Sequence, residues 1–594
     1  MNLPGTAPAQ PAGVLGRILP FWFGFAALYL IYRWPYIAAL KQADPDDTLR
    51  LVQVRDLLAG QGWFDLHQYR IDPPQGVVMH WSRLVDLPIA AVEMILRPVL
   101  GATLAEQAAS VAVPLATFGV ILILLARIAR RLFDSQLAGY CAVLAGTSFP
   151  IVTQILPTRV DHHGWQIVAA LGALLGLTDP EARRGGRIAG FSLAIGMAIS
   201  LELLPVAALF AAVLAFSWLR RPQQSERFIT FMIALAGGSV VAFALTRGPD
   251  WTNYCDAVSP AYLASLCLAA CGSAITVRLA GASPLRIAAG LAISGAAAGV
   301  VLVAIAPACL AGPFGSLDPL LKTAWHDNVL EGLPVWWLDA PAMVQWVVPP
   351  FAGLVAAVAL WRNAADDERS QRLDYLLLLA GSLLLGTMVL RSMAFAIAFA
   401  LVPLAWLVRS LGARLETARG LPRKLGLAAL LLVCVMPALP VYFAQSALGL
   451  EQDDASSTAT AANGSVSTRD PRIAAAALGA LPRGTIFAPL DEGPRILLHT
   501  AHAVVATGHH RGAASMHDVM VGFLVDPPVA RTILARHGAR YVVLDVQSNE
   551  VGVYRSLSPN GLAARLSDGR IPDWLTPLPM PRESGLLAFA VNTR

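Results

Sequence analysis

Long apolar runs separated by short polar segments fill the first three quarters of the chain. A helix needs roughly 20 apolar residues to cross the hydrocarbon of a bilayer, and these runs are close to that length. The pattern predicts an all-α polytopic membrane domain over residues 1–447 with about 13 transmembrane helices. The predicted spans are Leu19–Trp34, 108–126, 136–156, 164–179, 187–203, 204–219, 228–246, 260–277, 287–311, 342–361, 373–390, 392–408 and 425–446.

One further apolar stretch, Leu87–Leu100, is shorter than the roughly 20 residues that a transmembrane helix needs. Counting it as a span would place Arg127 and Arg131 outside, whereas basic residues tend to stay on the cytoplasmic side. We therefore predict a re-entrant or interfacial helix within a first outer loop at about 35–107. The arginines then collect in inner loops, so the N-terminus is expected inside and the C-terminal part outside.

The pattern changes after residue 447. Residues 448–470 are rich in Ser, Thr, Ala and Asp, which is typical of a linker. Residues 471–594 alternate short β-prone runs with helical stretches, which predicts a small soluble α/β domain on the extracytoplasmic side. A long outer loop is expected at about 312–341 of the membrane domain.

The amino-acid composition supports a membrane protein and argues against a nucleic-acid-binding protein. Of the 594 residues 56% are hydrophobic and only 14% are charged, so most of the chain does not face water. The net charge of +5 comes with arginines in short loops, which favours a membrane over nucleic acid. The six cysteines include no Cys-x-x-Cys pair, and we expect them to be small packing residues. The predicted location is the cytoplasmic (inner) membrane.

Two polar clusters follow apolar runs on the predicted outer side. The first is Asp44-Pro45-Asp46-Asp47, where neighbouring carboxylates repel one another unless a cation lies among them, and Mg²⁺ or Mn²⁺ suits such oxygens. The second is Asp161-His162-His163, a set that Mn²⁺ or Zn²⁺ accepts. The alternatives are a solvated helix start for the first cluster and a polar interfacial turn for the second.

Two single charged residues complete the candidate set. Glu331 lies in the long outer loop near several tryptophans and can equally be a solvated residue beside an interfacial aromatic belt. Arg391 lies between two apolar runs, where a guanidinium can grip phosphate in a bidentate way or can simply snorkel to the boundary. Together the four features predict an acidic, metal-competent outer face with a phosphate-binding arginine.

At these residues the sequence resembles the catalytic subunit of oligosaccharyltransferases, and more broadly the GT-C class of membrane glycosyltransferases. Asp44, Pro45 and Arg50 fit the Asp-Pro-x-x-x-x-Arg pattern of that family's first outer loop. The Asp of this pattern binds the metal and touches the acceptor, although Asp46 or Asp47 can take that role here. The resemblance therefore implies that Asp44 and Asp47 are catalytic and that Arg50 binds substrate.

The other motifs carry further implied roles. The Asp-His-His cluster fits the form found in archaeal members, which implies Asp161 and His163 as metal ligands together with Asp44. Glu331 resembles a family glutamate that engages the acceptor. Arg391 resembles the family arginine that contacts the donor's diphosphate.

The C-terminal motif departs from the family pattern. The family carries Trp-Trp-Asp-Tyr-Gly, which reads the Ser or Thr of a glycosylation sequon, whereas this chain has Pro-Leu-Asp-Glu-Gly. Asp491 and Gly493 are retained and are assigned to substrate binding, but both tryptophans and the tyrosine are absent. A related but distinct GT-C branch is therefore expected.

The sequence thus predicts a metal-dependent glycosyltransferase that uses Mg²⁺ or Mn²⁺. The donor implied is a polyprenyl-phosphate or polyprenyl-diphosphate sugar, the acceptor is a protein, glycan or lipid outside the membrane, and membrane lipid is a further partner. The alternatives are a polytopic transporter and a non-catalytic envelope polysaccharide assembly protein. Transporters place polar groups near the bilayer midplane, whereas these clusters lie at one face.

Overall fold

The structure is a computed structural model that describes residues 13–42, 44–315, 317–447 and 471–592. The predicted linker at 448–470 lies outside the described residues. The N-terminal part is helical, and the C-terminal part combines helices with a sheet.

Each predicted span coincides with a helix or a broken pair of helices. The helices of this part are α1 (Val14–Ala38), α2 (Pro45–Leu58), α3 (Arg83–Leu132), α4 (Leu137–Thr147), α5 (Phe149–Val152), α6 (His163–Leu177), α7 (Ala182–Ile199), α8 (Leu204–Arg220), α9 (Ser225–Thr246), α10 (Pro260–Leu279), α11 (Pro284–Ile305), α12 (Pro319–Ala324), α13 (Ala340–Arg362), α14 (Asp366–Met388), α15 (Met393–Thr417), α16 (Leu421–Val435) and α17 (Ala438–Ala447).

The described residues contain 8 helices long and apolar enough to cross a membrane, or 9 if the bent pair α16 and α17 is one span. The chain is a multi-pass membrane protein. The helices α4 and α6 are shorter than this criterion requires, and α7 and α14 begin with several charged residues. The finer count of about 13 spans stays a prediction, because length and composition decide only the clearest helices.

The short apolar stretch of the first outer loop is the first part of α3. Gly101 interrupts this helix with a φ of 74°, a conformation that glycine adopts without strain. The stretch is therefore helical, as predicted, and is set apart from the following span by a local break. The same loop holds a two-stranded antiparallel ribbon, β1 (His67–Gln68) and β2 (Val77–Val78).

The helix α15 forms the centre of the membrane domain. Its residues from Met393 to Ala405 are all buried, on every side of the helix. A helix that is apolar all round is stable only inside a protein or a membrane. It packs against α13, α14, α4, α6 and α16. This central position fixes the residues just before it, including Arg391, at the end of the bundle.

The C-terminal part is an α/β domain, as predicted. Its five-stranded sheet has the order β4-β3-β5-β7-β6, in which β3 runs parallel to β4 and β5 while β7 runs antiparallel to β5 and β6. The elements are α18 (Pro471–Gly479), β3 (Thr485–Phe487), α19 (Gly493–His499), β4 (Ala503–Val504), α20 (Ala513–Leu524), α21 (Pro527–Arg536), β5 (Ala539–Asp545), α22 (Asn549–Leu557), α23 (Leu562–Ser567), β6 (Leu575–Leu578) and β7 (Leu586–Val591).

The first outer loop and the C-terminal domain share one hydrophobic core. Buried Leu49 and Val52 of α2 belong to the same cluster as Ile486 of β3 and Val504 of β4. Ile71 also forms a parallel bridge to Val504, and the Val504 N–H donates to the Arg70 carbonyl at 2.9 Å. The loop therefore extends the edge of the sheet, and the two parts form a continuous body.

Two cysteines form a disulfide, which corrects the expectation that all six are packing residues. Cys255, after α9, is joined to Cys309, after α11, with their Cα atoms 5.0 Å apart. They are 54 residues apart in sequence, so their spacing carried no signal of the pairing. The other four cysteines are free.

We expect Leu49→Ala to destabilise the junction between the first outer loop and the C-terminal domain by about 2–5 kcal/mol, because it leaves a cavity in a shared core. The measurement is thermal unfolding of the purified protein in detergent. Leu557→Ala, at a side chain that is 51% exposed, is the control and should change stability by less than about 0.5 kcal/mol. Equal effects of the two changes would contradict a shared core.

Candidate active site

The Asp-His-His cluster lies where α6 begins, at the end of the bundle that faces the C-terminal domain. Asp161 accepts one hydrogen bond from each neighbouring ring, from His162 Nδ1 at 2.6 Å and from His163 Nδ1 at 2.7 Å. The two rings stack with centroids 4.3 Å apart. One carboxylate thus fixes both imidazoles and turns their Nε2 atoms away from itself.

Those two Nε2 atoms face carboxylates from other elements. His162 Nε2 lies 3.9 Å from Glu202, on the turn before α8, and His163 Nε2 lies 3.8 Å from Glu331 of the long outer loop. The His163 Nε2 atom is buried and has no hydrogen-bond partner among the described residues. Asp161, His162 and His163 each offer a ligand atom within 4.8 Å of the others. An unsatisfied imidazole nitrogen beside carboxylates fits a divalent cation.

Electrostatic interactions shift the pKa values of Asp161 and His162 in opposite directions. Burial opposes the ionised form of Asp161, but the adjacent rings outweigh it and hold the pKa of Asp161 well below its usual range. Burial also opposes a charged His162, yet Asp161 raises the pKa of His162 to about 10. His162 is therefore the counter-ion of Asp161.

Arg50 lies behind this cluster and is fully buried. Its guanidinium donates to Asp86 at 3.1 Å and to Asp161 at 3.4 Å, and it stacks over the ring of Trp81 at 4.5 Å. Arg83 donates to the second oxygen of Asp86 at 3.2 Å. Arg50 thus links α2 and α3 to the metal-competent cluster from inside the protein.

The acidic residues of the first loop occupy the N-terminus of α2. Asp44 caps the helix by accepting the Asp47 N–H at 3.0 Å, so the helix start of the alternative interpretation is present, but Asp47 is buried and not solvated. Asp47 accepts from the backbone N–H groups of Val160 and Asp161 at 2.7 and 2.9 Å. Arg159 contacts the carboxylates of both Asp44 and Asp47. Burial raises the pKa of Asp47, and the nearby Asp161 adds to that shift.

Arg391 reaches the same cluster from the other side. Its guanidinium pairs with Glu202, and its Nε donates to the Glu331 backbone carbonyl at 3.4 Å. Gln166 of α6 donates to the second oxygen of Glu202 at 3.0 Å. A continuous polar path therefore runs from Arg391 through Glu202 to His162.

The C-terminal domain contributes the opposite wall. His509 of this domain lies 3.3 Å from Asp46, and its Nδ1 shares a 2.8 Å hydrogen bond with Thr507. Asp491 is exposed in the turn before α19, and Glu550 accepts its backbone N–H at 3.0 Å. A Cβ at Gly493 would lie 2.7 Å from the Ala506 carbonyl oxygen, so only glycine fits this turn.

The structure brings together most, but not all, of the predicted site residues. Asp161, His163, Glu331 and Arg391 meet at one end of the bundle, whereas Asp44 is held by Arg159 outside the three-residue group that could hold a metal. Asp491 and Gly493 lie across the cleft on the C-terminal domain.

Sequence reasoning gave no role to three residues of this region. Glu202 was noticeable as an ionisable residue inside an apolar run, where charge is kept only for a reason. Arg159 stands next to the Asp-His-His cluster in sequence. His509 had no local signal, because only the docking of the C-terminal domain brings it to Asp46.

We expect Arg50→Met to destabilise the protein by about 3–5 kcal/mol, because it removes a buried guanidinium that Asp86 and Asp161 share. Thermal unfolding in detergent measures the loss. Arg183→Met removes a guanidinium that is 66% exposed and pairs with the exposed Glu226, so it serves as the matched control, with an expected effect below about 1 kcal/mol. A loss no greater than that of the control would show that Arg50 does not hold the cluster.

A second prediction concerns Glu550. Burial, with Asp491 nearby, raises the pKa of Glu550 to about 8. A carboxyl with a raised pKa in the folded state stabilises it most at low pH, and this contribution is lost as pH rises from about 5 to about 8. Glutamine does not titrate, so the Glu550→Gln variant should lack this pH-dependent loss of stability. We therefore expect the thermal stability of Glu550→Gln relative to wild type to increase from about pH 5 to about pH 8. A constant difference would contradict the raised pKa.

Comparisons with known proteins find similar folds among solved structures. No protein-family model and no curated protein matches the sequence. The archaeal oligosaccharyltransferase AglB from Archaeoglobus fulgidus, solved in complex with an inhibitory peptide and a dolichol-phosphate, matches with a TM-score of 0.63 at 13% identity, over 97% of this chain and 74% of that chain.

Two further structures of an Archaeoglobus fulgidus oligosaccharyltransferase agree. The apo form matches with a TM-score of 0.62 at 14% identity, over 94% of this chain and 73% of that one. The complex with Zn and sulfate matches with a TM-score of 0.57 at 13% identity, over 96% and 73%. At such identity the likeness establishes the fold alone, and in fold this chain is similar to the archaeal oligosaccharyltransferases, as its motifs predicted.

Proposed function

We propose that the protein is a metal-dependent glycosyltransferase that moves a sugar or oligosaccharide from a polyprenyl-phosphate or polyprenyl-diphosphate donor to an acceptor on the outer side of the cytoplasmic membrane. The observation that carries this proposal is the connection of Arg391 to the Asp-His-His cluster through Glu202. A cationic side chain suited to phosphate and a metal-competent cluster then lie side by side, at the end of an apolar bundle that suits a lipid carrier.

The comparisons support a lipid-linked donor. The oligosaccharyltransferase that is similar in fold was solved with a dolichol-phosphate and an inhibitory peptide, and a second structure with Zn and sulfate. A phosphorylated lipid, an anion and a metal are the components that Arg391 and the Asp-His-His cluster are suited to bind.

The assignment of the site to the outer side rests on the disulfide and on the arginine-rich loops, which are expected on the cytoplasmic side. Disulfides persist in oxidising compartments outside the cytoplasm, and Cys255–Cys309 joins two loops on the same side as the candidate site. The C-terminal domain packs on that side as well. We therefore assign the site and the C-terminal domain to the extracytoplasmic face.

Asp161 and His163 are the residues that would hold the metal, with Asp44 as the proposed third ligand. A bound divalent cation supplies a Lewis acid that stabilises negative charge on a departing phosphate. Asp161 accepts the Nδ1 hydrogen bonds of both rings and Asp44 pairs with Arg159, so joint coordination of one ion would require these carboxylates to exchange their present partners for the ion. His162 balances the charge of Asp161 beside it.

The guanidinium of Arg391 binds the phosphate oxygens of the donor and stabilises charge that develops there as the glycosidic bond breaks. Its present partner is Glu202, so the donor competes with a carboxylate for the guanidinium. Glu331, on the long outer loop above His163, closes the site over bound substrate.

The acceptor approaches between the first outer loop and the C-terminal domain. Asp44 and Asp47, at the start of α2, are the proposed catalytic carboxylates; of the two, Asp44 is the one that substrate can reach, because Asp47 is fully buried. Asp46 lies beside His509 of the C-terminal domain. Asp47 also fixes the backbone at Val160 and Asp161. Full burial makes Arg50 a positioning residue behind the cluster instead of a direct substrate ligand.

Asp491 and Gly493 are proposed to line the acceptor side. Asp491 is exposed, and a Cβ at Gly508 would lie 3.5 Å from Trp325 and 3.9 Å from Asp491, so these residues meet at one point of the cleft. Leu490 stands beside them in the buried core of the domain, where it cannot contact an acceptor.

The test is release of sugar from radiolabelled polyprenyl-phosphate and polyprenyl-diphosphate donors by the purified protein with Mn²⁺. We expect Asp161→Ala to lower the rate roughly 100-fold or more, and a chelator to lower the wild-type rate similarly, because both remove stabilisation of the leaving phosphate. Asp568→Ala is the control, since this carboxylate is 43% exposed and pairs with surface arginines of the C-terminal domain.

Thermal unfolding of each variant separates loss of chemistry from loss of fold. Transfer by Asp161→Ala at the rate of the control, or transfer unaffected by chelator, would contradict the proposed metal site. Release from one donor only would identify the mono- or diphosphate.

A further inference from the structure

A second cluster of metal-ligating side chains lies outside the candidate active site. His80 of the first outer loop, Asp256 of the loop after α9 and His510 of the C-terminal domain each offer a ligand atom within 4.8 Å of the others. We propose that these three residues hold a Zn²⁺ ion that fastens the C-terminal domain to two outer loops of the membrane domain.

The three ligand side chains come from three separate segments of the chain and lie close together. His510 Nε2 lies 2.7 Å from Asp256 Oδ2, and the rings of His80 and His510 are tilted by 47° to each other with centroids 4.8 Å apart. The Nδ1 atom of His80 is buried and has no hydrogen-bond partner among the described residues. A buried imidazole nitrogen without a partner costs free energy, which a metal ion would relieve.

The surroundings select the kind of ion. Arg511 donates to both oxygens of Asp256 at 2.7 and 2.8 Å, and Arg247 lies close by, with its Nη2 3.4 Å from the His80 carbonyl. Two guanidinium groups oppose Mg²⁺ or Ca²⁺, which depend on several anionic oxygens. Two imidazoles and one carboxylate are instead a ligand set of Zn²⁺, which is held mainly by coordination to nitrogen.

The cluster also has room for a fourth ligand, and a neighbouring side chain orients its ligands. A small cavity beside the cluster, with room for about one water molecule, is lined by His80, Ser82 and Asp256. Arg511 holds Asp256 in a bidentate way and donates to the Met79 carbonyl at 3.2 Å, so one guanidinium orients a ligand and the segment that carries another. Such partners normally fix the ligands of a metal site.

The position of the cluster gives the ion its role. Asp256 is next to the disulfide at Cys255, and the ring of His510 contacts Phe314, at the base of the long outer loop that carries Glu331, with centroids 5.0 Å apart. A metal here would join the C-terminal domain, the first outer loop and the disulfide-linked loops at one point. This inference does not depend on the glycosyltransferase proposal, since the cluster shares no residue with the candidate active site.

The experiment measures zinc directly. The full-length protein carrying His163→Gln, which removes a ligand of the other candidate metal site and keeps the buried Asp161, is purified with Zn²⁺, desalted and analysed by mass spectrometry of the metal. We expect about one Zn²⁺ per chain, and a fall of roughly 10-fold or more when His510→Gln is added. His517→Gln, a histidine of the same domain paired with Asp318, is the matched control and should retain the ion.

A second measurement covers a variant that does not fold. X-ray absorption at the zinc edge, recorded on the protein without the His510 change, should show two imidazole ligands and oxygen at the ion. Absence of zinc from that protein, a spectrum with fewer than two imidazoles, or equal zinc in the His510→Gln and control proteins would overturn the proposal. Sugar transfer by the otherwise wild-type protein is measured separately, so failure of one proposal leaves the other to be judged by itself.

Discussion

The charge on Asp161 is the interaction on which the site depends. A buried carboxylate costs several kcal/mol unless cations and hydrogen bonds surround it. Here two imidazoles and the guanidinium of Arg50 surround it, and they come from α6 and from α2. Satisfying this one charge requires the first outer loop to pack against the start of α6. The same requirement places Asp47, which binds the backbone of the Asp-His-His segment.

The site is built at a junction between two parts of the chain. The first outer loop provides a helix with apolar residues on the side that faces the C-terminal domain and acidic residues at its N-terminus. Its apolar residues complete the core of the C-terminal domain, and its N-terminus then points at the metal-competent cluster. Packing and chemistry are therefore coupled, because a shift of the domain would move Asp46 and His509 relative to each other.

The two metal-competent clusters differ in a way that follows from their neighbours. The Asp-His-His cluster also has guanidinium groups nearby, but the further carboxylates of Glu202 and Glu331 offset their charge and favour a cation. The cluster at Asp256 has arginines around it, so an ion there depends on imidazole coordination. The first suits an ion that acts on phosphate, and the second suits an ion that fastens loops together.

The sequence by itself determined the features that follow from local pattern. Apolar runs near the length of a bilayer predicted where the helices lie, the change after residue 447 predicted a separate α/β domain, and Asp161-His162-His163 was visible as an unusual choice between apolar helices. The positions of the helices and the presence of an α/β region were predicted correctly, because hydropathy and adjacency in sequence need no knowledge of distant contacts, whereas the role of the Asp-His-His cluster stays a prediction. The departure of Pro489-Leu490 from the expected tryptophans was readable in the same way.

Tertiary structure alone decided which distant residues meet. The pairing of Cys255 with Cys309, of Arg391 with Glu202 and of Asp46 with His509 joins residues with no common local pattern. Arg50 matched a motif for substrate binding, but its surroundings bury it behind Asp161. The physical reason is that burial and charge pairing depend on how helices and domains pack, and neither quantity is a property of the neighbouring residues in the chain.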